Sequence, residues 1–166
     1  MSKDFKITLI VIFSIIGVSV LFVGTLKLMF YYDEVTTTKI ILENSPEIVG
    51  YLKDNYDDNL KIIRADGPPK EYFEILVSND FETKNEEIST KLYDISEDVS
   101  DIWLTPAGEY AKGTFYVKLI LSDDKYIEFK YYNGEIEDIS LNFAITQKEL
   151  DKLSENNTEV HGYSLK

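Results

Sequence analysis

Apolar and polar positions fall into three patterns along this chain, and each predicts a different element. The first is unbroken apolarity. Ile7 to Leu26 is twenty residues without a charge. As a helix rising about 1.5 Å per residue it covers roughly 30 Å, the hydrocarbon thickness of a bilayer. The hydroxyls of Thr8, Ser14, Ser19 and Thr25 can bond back to the carbonyls of the same helix. Lys27 can reach toward headgroups, and Phe30, Tyr31 and Tyr32 supply an interfacial aromatic belt. The pattern predicts a transmembrane anchor over 7–30, in contact with membrane lipid, behind a short tail at 1–6. A cleaved signal peptide would call for small residues before the cut, yet no alanine precedes Ala65. The anchor is therefore expected to stay attached.

The second pattern is helical spacing. Ser45-Pro46-Glu47 reads as N-cap, first helical residue and an acidic first turn, and Ile48, Val49, Leu52 and Tyr56 follow at helical intervals. Thr83 and Glu86 are placed as a capping box ahead of Ile88, Leu92, Ile95, Val99 and Ile102, spaced 4, 3, 4 and 3. Trp103 is expected to close that helix, and Pro106-Ala107-Gly108 to break the chain. Thr146 and Glu149 form a second box before Leu150 and Leu153. Between anchor and first helix, 31–44 is a connector that either extends or prolongs the anchor helix.

The third pattern is alternation. Leu60–Ala65 and Glu71–Val77 read as strands around Asp66-Gly67-Pro68-Pro69. Phe115, Val117, Leu119 and Leu121, then Ile127, Phe129 and Tyr131, share one face of a meander, and Asn133-Gly134 is a strong hairpin signal before Glu135–Leu141. Alternation lapses near Asp138, which predicts a bulge or an edge. Residues 156–166 show no periodicity and read as a flexible tail. The fold class that satisfies this order is α+β: an N-terminal transmembrane helix, then a small domain over 45–155 in which an amphipathic helix packs on a mostly antiparallel sheet.

Charge sharpens the picture. From Asp33 onward 29 acidic residues face 14 lysines and arginines, a net charge of −15. Such a surface is repelled by nucleic acid and by anionic headgroups, so no nucleic-acid partner is expected. Lys3 and Lys6 on the leading side, against Lys27 and Lys39 beyond the span, favour a cytoplasmic N-terminus and an extracytoplasmic domain at the cell membrane.

Candidate chemistry is sparse. With no cysteine and one histidine, His161, in the expected tail, neither a nucleophile–base pair nor a transition-metal site is legible. Neither a Gly-x-Ser-x-Gly elbow nor a Gly-rich phosphate loop appears. No catalytic, cofactor-binding or metal residue is therefore assigned. Asp54–Asn59 and Ser122–Asp124 are the densest oxygen clusters, but Tyr56 stands where a calcium loop needs a ligand. Tyr72, Tyr116, Tyr126 and Tyr132 fall on strand faces opposite the core rows, as expected either for ordinary strand tyrosines or for a protein contact. In the order of its elements the chain is similar to type IV pilins. Val11 stands where their apolar run carries glutamate, so the similarity stops at architecture. The expected function is a non-enzymatic interaction module that contacts another protein of the cell envelope. A ligand or cation sensor is the alternative, and a hydrolase using paired carboxylates a third.

Overall fold

A computed structural model of the protein describes residues 3–67, 71–107, 113–155 and 158–166, with the side chains of 3–11 and 104–107 outside that description. Pro68 and Pro69 of the expected turn and the break at Gly108 lie outside the described residues. The chain divides into two units, 1–36 and 37–166.

The N-terminal unit is helical. Helix α1 spans Lys3–Asn44, and its described stretch from Ile12 is long and apolar enough to cross a membrane. Every described side chain of this unit is exposed within the chain. Two of the four hydroxyls, those of Ser19 and Thr25, behave as expected, and the Thr8 side chain lies outside the described residues. Ser19 Oγ donates to Ile15 O at 2.9 Å and Thr25 Oγ1 to Leu21 O at 2.8 Å, so their polar atoms are satisfied within the helix. The connector resolves in favour of continued helix, because α1 runs without a break to Asn44.

The second unit is α+β. Its elements after α1 are α2 (Pro46–Tyr56), β1 (Leu60–Asp66), β2 (Glu71–Val77), α3 (Asn79–Lys84), α4 (Ile88–Ala107), β3 (Thr114–Ser122), β4 (Lys125–Tyr132), β5 (Glu135–Leu141), β6 (Ala144–Ile145), α5 (Gln147–Leu153), β7 (Glu159–His161) and β8 (Ser164–Leu165). Six strands form one sheet in the order β1-β2-β3-β4-β5-β7, and β6 pairs with β8 in a small second sheet. The main sheet is mixed. Three of its pairings are antiparallel, while β2–β3 and β5–β7 are parallel. The β2–β3 pairing is parallel because α4 carries the chain between them, the connection that parallel strands require.

Strand alternation decides the layers. Phe73, Ile75 and Val77 of β2, Phe115, Val117 and Leu119 of β3, Ile127 and Phe129 of β4 and Ile139 of β5 are buried on one face. They meet Ile48 and Leu52 of α2, Ile88, Leu92, Ile95 and Val99 of α4, and Leu153 of α5 in a single core. The Asn133-Gly134 turn has φ values of 52° and 88°, the left-handed pair that a two-residue hairpin needs. The lapse at Asp138 is a bulge. The register slips between Lys130/Asp138 and Tyr131/Ile136, leaving Glu137 as the extra residue.

Four expectations change. The Thr83–Glu86 capping box does not form. Ser78 caps a short helix earlier, accepting from Phe81 N at 3.3 Å, and Thr83 falls inside that helix with its hydroxyl donating to Asp80 O. Ser45 occupies the N-cap of α2 without a side-chain cap bond. Helix α4 passes through Trp103 to Ala107, because Trp103 packs inward against Phe73 and Phe115 and donates from Nε1 to Glu71 Oε2 at 2.8 Å. The expected flexible tail at 156–166 instead carries β7 and β8. Backbone pairing with β5 and β6 supplies an order that no side-chain periodicity announces over two- and three-residue strands.

The second capping box forms as its sequence predicts. Thr146 Oγ1 accepts from Glu149 N, and Glu149 Oε2 accepts from Thr146 N at 2.8 Å. Glu149 also reaches another helix. Its Oε1 accepts from Ser89 Oγ at 2.7 Å and from Ser89 N at 3.4 Å, at the start of α4. Fully buried, with 0% exposure, it ties the N-termini of α4 and α5 together.

Candidate functional site

The sheet face opposite the core is the surface to which the tyrosine pattern pointed. Alternation puts Tyr72, Glu74 and Leu76 of β2 there, with Tyr116, Lys118 and Ile120 of β3 and Tyr126, Glu128, Lys130 and Tyr132 of β4. Strand register aligns them in rows. Tyr72 pairs with Tyr116 and Tyr116 with Lys130, while Arg64, Glu74, Lys118 and Glu128 line up in alternating sign across four strands. These positions are half-buried or exposed, Leu76 at 41% and Tyr132 at 53%.

Local chemistry orders the face. Lys118 Nζ lies 3.4 Å from Glu74 Oε1 and 4.8 Å from the Tyr126 ring centre, combining an ion pair with a cation–π contact. The Arg64 guanidinium sits 5.9 Å from the Tyr72 ring centre and bonds Asp66 at 2.9 Å. The Tyr72 and Tyr116 rings lie 6.4 Å apart at 52°. Across the bulge, Lys130 pairs with Glu137 at 2.6 Å. Burial pushes the Tyr72 phenol upward, and the negative charges of Glu74 and Glu128 push it further, so it remains a neutral hydrogen-bonding group at any physiological pH. The face therefore offers amphipathic rings, aliphatic side chains and paired charges held in fixed positions.

The remaining sequence candidates are placed as follows. Asp54 lies in the last turn of α2, and Asp57–Asn59 forms a 3-10 turn with Asp57 at φ 51°. Asn59 there is engaged by Ser78, whose hydroxyl donates to Asn59 Oδ1 at 2.9 Å. Asp123 and Asp124 make the β3–β4 turn, where Asn142 donates to the Asp124 carbonyl. Among the described residues no three His, Cys, Asp or Glu side chains gather in an arrangement that could hold a metal ion. His161 lies on β7, with Nε2 3.3 Å from Asp138 Oδ1 and 3.4 Å from Glu159 Oε2.

Sequence reasoning placed the four tyrosines on the outer face but missed the charge row between them. Its signal was present: Glu74, Lys118 and Glu128 sit at alternate positions of their strands. Their registration depends on the parallel β2–β3 pairing, which alternation alone does not specify. No family model, curated protein or solved structure matches the chain.

Proposed function

We propose that the chain is a single-pass membrane protein whose acidic α+β domain is a non-enzymatic interaction module, binding another protein of the cell envelope through the open face of its sheet. The observation that carries this reading is the exposure of Leu76 and Tyr132 beside Tyr72, Tyr116 and Tyr126 on a sheet whose helices pack on the other side. Aromatic side chains with an apolar body and a polar tip are favoured where protein surfaces meet. Strands about 4.8 Å apart and about six residues long give a face of roughly 25 by 20 Å. A standard interface buries about 800 Å² per partner, so the face alone suits a contact at the smaller, reversible end of that range. Its partner is expected to present an apolar patch fringed by charges of both signs, matching the Arg64–Glu74–Lys118–Glu128 row.

The anchor supports the location. In this reading the apolar part of α1 crosses the cell membrane with its N-terminus cytoplasmic and the domain outside, in keeping with the lysines at 3 and 6. Protease added to intact cells, with any outer barrier opened, is then expected to digest the domain while cytosolic controls survive. Full protection would invert the topology.

The interaction itself is tested by photo-crosslinking in intact cells. A photoreactive residue replaces Tyr132 on the open face or, as a control, Lys91 on the exposed side of α4. A specific protein captured from position 132 and not from 91 supports the proposal. Capture of this chain alone would replace an envelope partner with self-association, and equal recovery from both positions would refute the face as the contact.

A further inference from the structure

Helix α4 buries more than its apolar stripe. Ser89, Ser96 and Ser100 lie inward beside it. Two of these hydroxyls are engaged. Ser89 Oγ donates to Glu149, and Ser96 Oγ lies 2.7 Å from the Tyr131 hydroxyl. Ser100 is 1% exposed and its Oγ has no hydrogen-bond partner. A buried hydroxyl without a partner costs free energy, so its position asks for an explanation.

Ser100 lines a cavity of about 720 Å³ between α4 and the β4–β5 hairpin. Tyr93 and Tyr131 contribute to the lining, and Asp94, Glu97, Asp98, Asp101 and Glu135 bring five carboxylates to it, of which Asp98 already accepts from the Tyr51 hydroxyl. Among the described residues, Asp94, Glu97 and Glu135 make no ion pair with lysine or arginine. Burial first, then the charge of Glu97 and its hydrogen bond to the ring hydroxyl, and then the charges of Glu155 and Asp94 push the Tyr93 phenol up to about 12. Lys152, outside the lining, already sets its ammonium 5.2 Å from the Tyr93 ring centre.

We propose that this cavity is a binding site for an alkylammonium group, with Ser100 Oγ and the Glu97 and Asp101 carboxylates as acceptors and the Tyr131 ring as an apolar wall. An ammonium carries three donors and no acceptor. That matches a cavity whose titratable groups are carboxylates and neutral phenols. Glu97 precedes Ser100 by three residues and Asp101 follows Glu97 by four, so the three acceptors lie on neighbouring positions of one helix face. A metal ion fits less well, since among the described residues no three carboxylates gather in an arrangement that could hold one and the cavity far exceeds a single ion. The ammonium has two sources of the same chemistry, a free diamine or polyamine and a lysine side chain of another protein. The site stands whether or not the open sheet face has a partner.

The test is calorimetric titration of the full chain in non-ionic detergent with 1,5-diaminopentane and, separately, with a trilysine peptide. Sodium chloride and magnesium chloride at matched ionic strength are the controls. Saturable one-to-one binding of either amine is expected in excess of both salts. Tighter binding of the peptide assigns the site to a partner's lysine, and tighter binding of the diamine to a free amine. The exposed pair Glu97→Gln/Asp101→Asn should weaken binding by about tenfold, the scale of two partly exposed ion pairs. Ser100→Ala should weaken it severalfold while leaving the urea midpoint equal or higher, because the substitution removes an unpaired buried hydroxyl. Heats equalled by magnesium chloride, or amine affinity unchanged in the double variant with its urea midpoint intact, would overturn the proposal.

Discussion

Replacing Glu149 is expected to be among the most damaging single changes outside the apolar core. Its carboxylate accepts from Thr146 N at 2.8 Å, Thr146 Oγ1 at 3.0 Å, Ser89 Oγ at 2.7 Å and Ser89 N at 3.4 Å. Hydrogen bonds to a charged group contribute about 1.5–3 kcal/mol each and a helix cap about 1 kcal/mol, but bonds that share one group do not add. Truncating one member of a buried charged network costs about 3–5 kcal/mol, because the abandoned donors stay buried. Glu149→Ala is placed in that range. Glu149→Gln keeps the shape and one acceptor but turns an NH₂ toward donors, and is expected to cost about 2 kcal/mol. With a urea slope near 2 kcal/mol/M, the alanine variant should lose roughly 2 M of midpoint in urea unfolding of the full chain in detergent, followed by circular dichroism. The pH dependence gives a second reading of the same group. Burial works to raise the Glu149 carboxyl, yet the bonds from Thr146 and Ser89 outweigh it and hold the carboxyl below its ordinary value. A depressed folded value means stability that is complete above the unfolded glutamate range, about 4.3, and lost as pH falls through the folded value. The gap between wild type and Glu149→Gln should therefore be full at pH 7 and close as the pH drops below about 4. A glutamine variant within about 0.5 kcal/mol of wild type at pH 7 would refute the reasoning, since surface substitutions ordinarily fall inside that margin.

Other substitutions test the fold elsewhere. Gly162 has φ +76°, and a Cβ there would stand 2.3 Å from the Leu141 carbonyl oxygen, so Gly162→Ala should destabilise by about 2 kcal/mol or more and loosen amide protection in β7 on hydrogen exchange. Leu92→Ala removes a fully buried contact between α4 and the sheet and should cost about 2–5 kcal/mol in the same urea experiment. Trp103→Phe keeps the ring packing against Phe73 but leaves Glu71 without its indole donor, an expected loss of about 1–3 kcal/mol that Glu71→Gln should partly restore. Lys118→Met removes the ion pair to Glu74 and the ammonium over Tyr126 and should change stability by less than about 1 kcal/mol, while weakening capture from position 132 if the charge row orients the partner.

What was legible in the sequence is what depends on neighbours. Alternation located the strands of the meander and their inward residues, and the Asn133-Gly134 pair located its hairpin, because a two-residue turn closes on its own chemistry. The spacing of Ile88, Leu92, Ile95 and Val99 located α4 for the same reason. What escaped depends on distant partners. Glu149 read as the second half of a local cap, and only folding brings Ser89, sixty positions away, to its other oxygen. Thr83 read as a cap because Thr-x-x-Glu is a sound local signal, but Ser78, tied to Asn59, starts a helix before it. The short β7 and β8 draw their stability from β5 and β6 rather than from any pattern of their own. On the candidate surface, alternation sorted the tyrosines to the outer face, yet the cross-strand charge row required the parallel register of β2 and β3. Ser100 looks like any other serine on a helix until the carboxylates around it are assembled in space.

The two borders of the six-stranded sheet have a bearing on how the protein survives at high concentration. A strand at a sheet's margin presents unpaired backbone groups that invite another chain to add on, the route to runaway aggregation. On the β1 side Thr38 closes part of that row with a single hydroxyl, which accepts from Ala65 N at 3.1 Å and donates to Ala65 O at 3.2 Å. A bulge at Ile63 breaks the strand's regularity close by. On the far side β7 lies against β5 and ends after three residues, too short to template a further strand. The sheet is thus finished at both ends by small devices rather than by closure into a barrel. Crowding would press copies of such a domain together, and these guarded borders direct any association to the broad face instead of the rim.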